Sequence, residues 1–186
     1  MSTDEFTAVL ARFREGDAAA EQQLITVIYG ELRRLARRQL KGNRWMATLN
    51  TTALVHESYL RLVAPAAQHT QTQAHFLNLA SRVMRQIVID YARKRLRELV
   101  HVDKHATVNV SGEKDDAELA QARQFIALDE ALSDLAKRNP RQAQVVTCRF
   151  FAGLSEDETA EALGTSARTV QRDWNDARTW LEQHMR

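Results

Sequence analysis

Apolar residues recur along most of this chain at intervals of three and four, the spacing of helices that bury one side. Phe6, Val9, Leu10 and Phe13 make the first such run, and Gly16 follows as a stop. A second helix is predicted from about Asp17 to Lys41, with Leu24, Ile28, Leu32 and Leu35 inward and Gly42-Asn43 at its end. Thr51 or Thr52 is placed to cap a third helix carrying Val55, Tyr59 and Leu62, with Pro65 as its stop and residues 64–72 as a polar loop. A long fourth helix, about Gln73 to Leu96, lines up Phe76, Ala80, Val83, Ile87 and Tyr91.

The pattern then breaks. Val100, Val102, Val108 and Val110 alternate with the period of a strand, but nothing else in the chain offers that strand a partner. Ser111-Gly112 and a run of charges follow, the composition of a linker. Helical spacing returns with Leu119, Phe125, Leu128, Leu132 and Leu135. Asn139-Pro140 reads as an N-cap followed by proline at the first helical position, and the helix it opens is predicted to reach Ala152 and stop at Gly153. Ser155 and Glu158 have the spacing of a capping box. Gly164 closes that short helix, and Ser166 caps a last one reaching about His184. The expected architecture is all-α: two small helical domains, 1–98 and 119–186, joined by a flexible linker over 99–118.

Composition agrees with helices. The 186 residues include only 6 Gly and 2 Pro. Cys148 is the single cysteine, so neither an internal disulfide nor a thiolate zinc site can form. The first residues lack the basic and apolar runs of a signal peptide, and no stretch approaches ~20 apolar residues. A cytoplasmic protein without membrane insertion is expected. Charge is unevenly spread: residues 1–98 carry 15 Lys/Arg against 9 Asp/Glu, and residues 125–186 carry 8 against 10.

The most informative segment is Ser155 to Leu181. Two separately capped helices meet at a turn containing Gly164, the pattern of a helix-turn-helix. On the second helix Val170, Trp174, Ala177 and Leu181 form a narrow apolar stripe. Arg168, Gln171, Arg172 and Asn175 fall on the other side, and these residue types can pair with purine edges in the major groove. A plain helical hairpin with a solvated polar face would share the caps, but not an Arg/Gln/Arg/Asn face near a helix start. Glu156, Asp157, Glu158 and Glu161 make the preceding helix acidic, so modest DNA affinity is expected from this part alone.

The N-terminal half carries two cationic stretches. No acid lies between Glu31 and Glu57, an interval holding Arg33, Arg34, Arg37, Arg38, Lys41 and Arg44. Arg82, Arg85, Arg93, Lys94, Arg95 and Arg97 follow on the fourth helix with Asp90 among them. Such stretches suit a polyanion track, though each also fits a solvated helix face. Phe76 and Tyr91 are of a type that stacks on unpaired bases, but their spacing fits core packing better.

Three segments resemble extracytoplasmic-function sigma factors of the sigma-70 family, and the resemblance they carry extends over the chain from about Asp17 to Leu181. Ala53-Leu54-Val55-His56-Glu57 resembles the D-L-V-Q-E core of the family's polymerase-binding helix, with Ala53 and His56 in place of Asp and Gln. Ala80 to Arg93 resembles the promoter-opening helix, although Phe76 and Leu79 stand where a tryptophan-rich signature is common. Asn139-Pro140-Arg141 through Trp180-Leu181 resembles the domain that reads the upstream promoter element. The resemblance implies that His56, Glu57 and Arg61 bind the β′ clamp helices of core RNA polymerase. It implies that Arg82, Arg85, Gln86, Asp90 and Arg93 contact the −10 element, and that Ser166, Arg168, Thr169, Gln171, Arg172 and Asn175 contact the −35 element. It further implies contact with the polymerase β flap and, in many members, an anti-sigma factor.

A stand-alone helix-turn-helix regulator is the alternative; it explains the C-terminal helices but not the basic N-terminal half. An enzyme is not expected. His56-Glu57 lacks a second histidine at i+4, there is no glycine-rich phosphate loop, and Cys148 sits among apolar residues. No catalytic residue, metal or cofactor is expected.

Overall fold

Local capping chemistry sets most helix starts. The computed structural model describes residues 3–41, 49–69, 72–105 and 113–185, and among these it contains eight α-helices, one π-helical turn and no strand. Helices α1 (Thr3–Arg14) and α2 (Ala18–Leu40) are joined by a tight turn in which Gly16 takes φ +84°. Asp17 caps α2 by accepting from the amides of Ala19 and Ala20 at 2.8 and 3.2 Å, and Arg12 holds it from outside at 2.6 Å. The predicted stop at Gly42-Asn43 lies outside the described residues; α2 ends at Leu40, with Lys41 extended.

Helix α3 (Thr51–His69) departs from expectation at both ends. Its cap is Asn50, whose side chain accepts from the Ala53 amide at 2.9 Å, rather than Thr51 or Thr52. It also runs through Pro65, where a stop was predicted. A proline removes one hydrogen bond from a helix without having to end it, and Ala64, Ala66 and Ala67 beside it are strong helix formers. Helix α4 (Gln73–His105) is longer than its predicted span and takes up Val100 and Val102; no glycine or proline interrupts the sequence there. Val108 and Val110 lie outside the described residues. Helix α5 (Glu113–Arg138) likewise begins earlier than the apolar pattern indicated.

The C-terminal helices follow their predicted punctuation closely. Asn139 caps α6 (Pro140–Val146), with Pro140 in the first turn. The next turn, Thr147–Ala152, winds as a π-helix rather than as continued α-helix, and Gly153 ends it at φ +74°. Helix α7 (Glu156–Leu163) opens with the reciprocal Ser155–Glu158 capping box and closes at Gly164, φ +61°. Helix α8 (Ala167–His184) is capped by Ser166.

The largest hydrophobic cluster gathers Phe6, Leu32, Leu35, Leu54, Leu62, Phe76, Leu77, Met84 and Ile87 from α1–α4. It also takes in Ala122, Cys148, Ala152, Leu154 and Ala162 from the other end of the chain. Fully burying one such Phe or Leu side chain contributes about 1.5–3 kcal/mol. Two smaller clusters belong to the C-terminal helices: Leu132, Leu135, Ala143, Val146, Phe151 and Ala177 in one, Val145, Ala160 and Val170 in the other. The C-terminal helices thus have a core of their own and also pack against α4.

Candidate nucleic-acid interface

Helix α8 is held from behind and open in front. Val170 is buried against Val145 and Ala160, and Ala177 against the Leu132–Leu135 cluster. Trp174 is half-buried, and the Arg149 guanidinium lies 5.9 Å from its ring centre. Asp173, unlike its polar neighbours, points inward and is only 2% exposed. There it pairs with Arg141 on α6, which donates through Nε to one carboxylate oxygen and through its terminal nitrogen to the other at 3.2 Å. Hydrogen bonding to Asp173 and its negative charge raise the Arg141 pKa above its ordinary value. The apolar period marked Val170, Trp174 and Ala177 correctly, and gave no sign of the carboxylate buried among them.

The six residues singled out on α8 stand together. Arg168, Gln171, Arg172 and Asn175 are exposed, in line with their predicted face. Ser166 accepts from the Thr169 amide at 3.2 Å, and the two hydroxyls lie 2.9 Å apart. The acids of α7 are partly engaged: Glu158 accepts from the Ser155 amide at 2.7 Å, and Glu156 lies 3.6 Å from Arg149.

The α4 group is in a different state. Arg82, Gln86, Asp90 and Arg93 are exposed, and Gln86 donates to Asp90 at 2.8 Å. Arg85 is largely covered. It lies 3.4 Å from Asp129 of α5, and its guanidinium sits 5.4 Å from the centre of the Phe151 ring. Burial pushes the Arg85 pKa below its ordinary value; Asp129 opposes the shift and Arg82 adds to it. Arg93 lies 3.7 Å from the same Asp129 carboxylate. Phe76 is buried against Phe6 with ring centres 5.6 Å apart, and Tyr91 is packed against the core.

On α3, Glu57 and Arg61 pair at 2.6 Å, and Arg61 also comes within 4.0 Å of Asp90, linking this group to the α4 face. His56 is exposed and meets Tyr29 edge-on, ring centres 6.5 Å apart. Leu60, one turn on, is 79% exposed. Ile25 and Tyr29, one turn apart on α2, are each 37% exposed. Sequence reasoning passed over these apolar neighbours, because Leu60 on a helix reads as core until the packing is known.

Among the described residues no three His, Cys, Asp or Glu side chains cluster in a way that could hold a metal ion. Cys148 is buried, and burial pushes its thiol up to about 12, so it is an inert core residue. No described helix is long and apolar enough to cross a membrane. Arg38 of α2 donates to the Phe150 and Arg149 carbonyls of the π turn at 3.3 and 3.5 Å, a contact with no signature in the sequence pattern.

Comparison with curated proteins and with solved structures yields no match. Comparison with protein families yields one that spans almost the entire chain: the model of the ECF sigma factor matches residues 3–186. With its helices, its capped α7–α8 pair and its basic α4 in place, the chain belongs to the ECF sigma factor family.

Proposed function

We propose that this chain binds core RNA polymerase through α3, engages and opens the −10 element through α4, and reads the −35 element as duplex through α8. Membership of the family already assigns it to transcription initiation, with DNA binding as part of that role. The proposal adds which side chains act. His56, Glu57 and Arg61, with exposed Leu60 beside them, meet the polymerase β′ clamp helices. Arg82, Arg85, Gln86, Asp90 and Arg93 meet −10 DNA. Ser166, Arg168, Thr169, Gln171, Arg172 and Asn175 meet −35 DNA. The corresponding division is residues 1–98 for polymerase and −10, 99–118 as connection, and 119–186 for −35.

The observation that carries this reading is the α8 face. A capped helix start presents Arg168, Gln171, Arg172 and Asn175 to solvent while Val170, Asp173 and Ala177 anchor the helix from behind. Such a face can pair with base edges, and the capped N-terminus can meet a phosphate. Opening DNA needs no covalent chemistry: capture of unstacked bases offsets a few kcal/mol of unpairing.

Transcription in vitro from a library of promoters tests the proposal. The purified chain with core polymerase is expected to yield transcripts from a defined promoter class, and neither component alone to do so. Sequence-specific footprinting by the chain without polymerase would replace this reading with that of a stand-alone regulator.

A further inference from the structure

Of the three side chains that α8 buries, Val170, Asp173 and Ala177, only Asp173 is charged, and two arginines meet on it. Arg141 of α6 takes the carboxylate side-on: its Nε donates to one oxygen and a terminal nitrogen to the other at 3.2 Å. That second oxygen also faces Arg172, whose Nε lies 3.8 Å away, within ion-pair distance. A carboxylate oxygen has two lone pairs and can serve both. The donation from Gln142 to Asp176 at 3.4 Å ties α6 to the same flank of α8 one turn further along. The two arginines are differently placed. Arg141 reaches Asp173 from another helix and offsets the burial of its charge. Arg172 precedes Asp173 on α8 and stands about 100° round the helix from it. Its side chain is 66% exposed, so it is approached by a negative charge at the Nε side while its tip stands in solvent beside Arg168, Gln171 and Asn175.

We infer that Asp173 is a positioning residue for base recognition: it holds Arg172 from the Nε side, so that both terminal nitrogens of the guanidinium are aimed together at a guanine of the upstream element. The inference rests on the reading of α8 as the −35 face and deepens it, naming the base that Arg172 selects and the group that fixes the selection. Guanine offers O6 and N7 side by side in the major groove, and an arginine matches both when its planar fork is presented end-on. A long side chain free in water samples many rotamers and must give them up on binding. An attraction at Nε removes part of that cost before DNA arrives and uses neither terminal nitrogen. A lysine cannot do the same, because its single nitrogen cannot face Asp173 and guanine at once.

The test is a binding selection over a randomised upstream element, using the full chain with core polymerase and run for single and paired variants. Arg172→Ala is expected to relax preference for guanine at one position by about fivefold or more. Asp173→Asn keeps the shape of the side chain and an acceptor oxygen for Arg141. It is expected to relax that same position by about threefold, and to relax it no further when Arg172→Ala is already present. Preference unchanged in Asp173→Asn overturns the positioning role while leaving Arg172 as a reader. Relaxation spread over every upstream position, or persisting in full beside Arg172→Ala, also overturns it, because Asp173 then only seats the helix. Preference unchanged in Arg172→Ala itself is a different failure: it removes the α8 reading on which the inference stands. Should Asp173→Asn fail to fold by circular dichroism, Arg172→Lys decides. It keeps the charge and loses the fork, and is expected to lose guanine preference to about the same degree as Arg172→Ala; a retained preference overturns the inference.

Discussion

Helices α8 and α4 both carry arginines on an exposed stripe, but they meet acidic groups in opposite ways. On α8 the carboxylate of Asp173 turns inward to Arg141 and ties the helix down from behind, with Arg168 exposed and Arg172 exposed although its Nε lies 3.8 Å from the same carboxylate. On α4 the carboxylate arrives from outside: Asp129 belongs to α5 and lies over the front of the helix, against Arg85 and Arg93. Net charge does not distinguish these cases, since the C-terminal helices are the more acidic region and yet present the more exposed arginines: the Arg172 side chain is 66% exposed, that of Arg85 22%. What decides availability is the side of the helix on which the acid lies and the element that delivers it.

Substitutions separate the two arrangements. The largest loss of stability is expected from Asp173→Ala, which strips Arg141 of its partner and leaves a gap beneath α8; about 1–3 kcal/mol should be lost in urea unfolding. Arg85→Ala comes next. It leaves the nearly buried Asp129 with Arg93 at 3.7 Å and removes the contact with Phe151, for about 1–2 kcal/mol in the same measurement. Ser166→Ala removes the α8 cap and should cost about 1 kcal/mol. Arg172→Ala should change stability by less than about 0.5 kcal/mol. Its effect should instead fall on DNA, relaxing preference at one upstream base pair by about 1–3 kcal/mol in binding selections with polymerase present. Equal losses of stability from Arg85→Ala and Arg172→Ala would erase the contrast between the two faces.

The smallest effect concerns the α2 cap, far from either face. A hydrogen bond from Arg12, then the amides of Ala20 and Ala19, hold the Asp17 carboxyl below its ordinary value of 3.8. A lowered carboxylate contributes stability that is fully present above that ordinary value and is lost as pH falls through the folded-state value. Asp17→Asn keeps a capping side chain but cannot titrate. Melting temperatures followed from about pH 5 to about pH 3 should therefore fall slightly more steeply for the parent than for the variant.

Short-range chemistry was legible in the sequence. The Asn139-Pro140 start, the Ser155–Glu158 box, the Gly164 turn and the Ser166 cap each depend on neighbours within four positions, and all formed where expected. The outward set on α8 was legible for the same reason, because a helix of fixed period sorts its own faces. The inward turn of Asp173 escaped notice, since its cause is Arg141 on another helix. The pairing of Asp129 with Arg85 and Arg93 escaped too: each residue alone reads as a solvated charge, and only packing of α5 on α4 brings them together. Pro65 misled in the other direction, because a strong local breaker was outweighed by the alanines around it and by the helix already in place.

The π turn at Thr147–Ala152 has a bearing on everything after it. Such a turn spends about one residue more than an α turn does, so the chain leaves it rotated by roughly 100° from the course plain α winding would give. Phe150 thereby looks out, 53% exposed, while Phe151 beside it is buried. Segment length thus acts as an azimuth setting. Removing a single residue here would rewind the spiral and swing α7 and α8 to a new compass heading, even with every side chain on α8 intact.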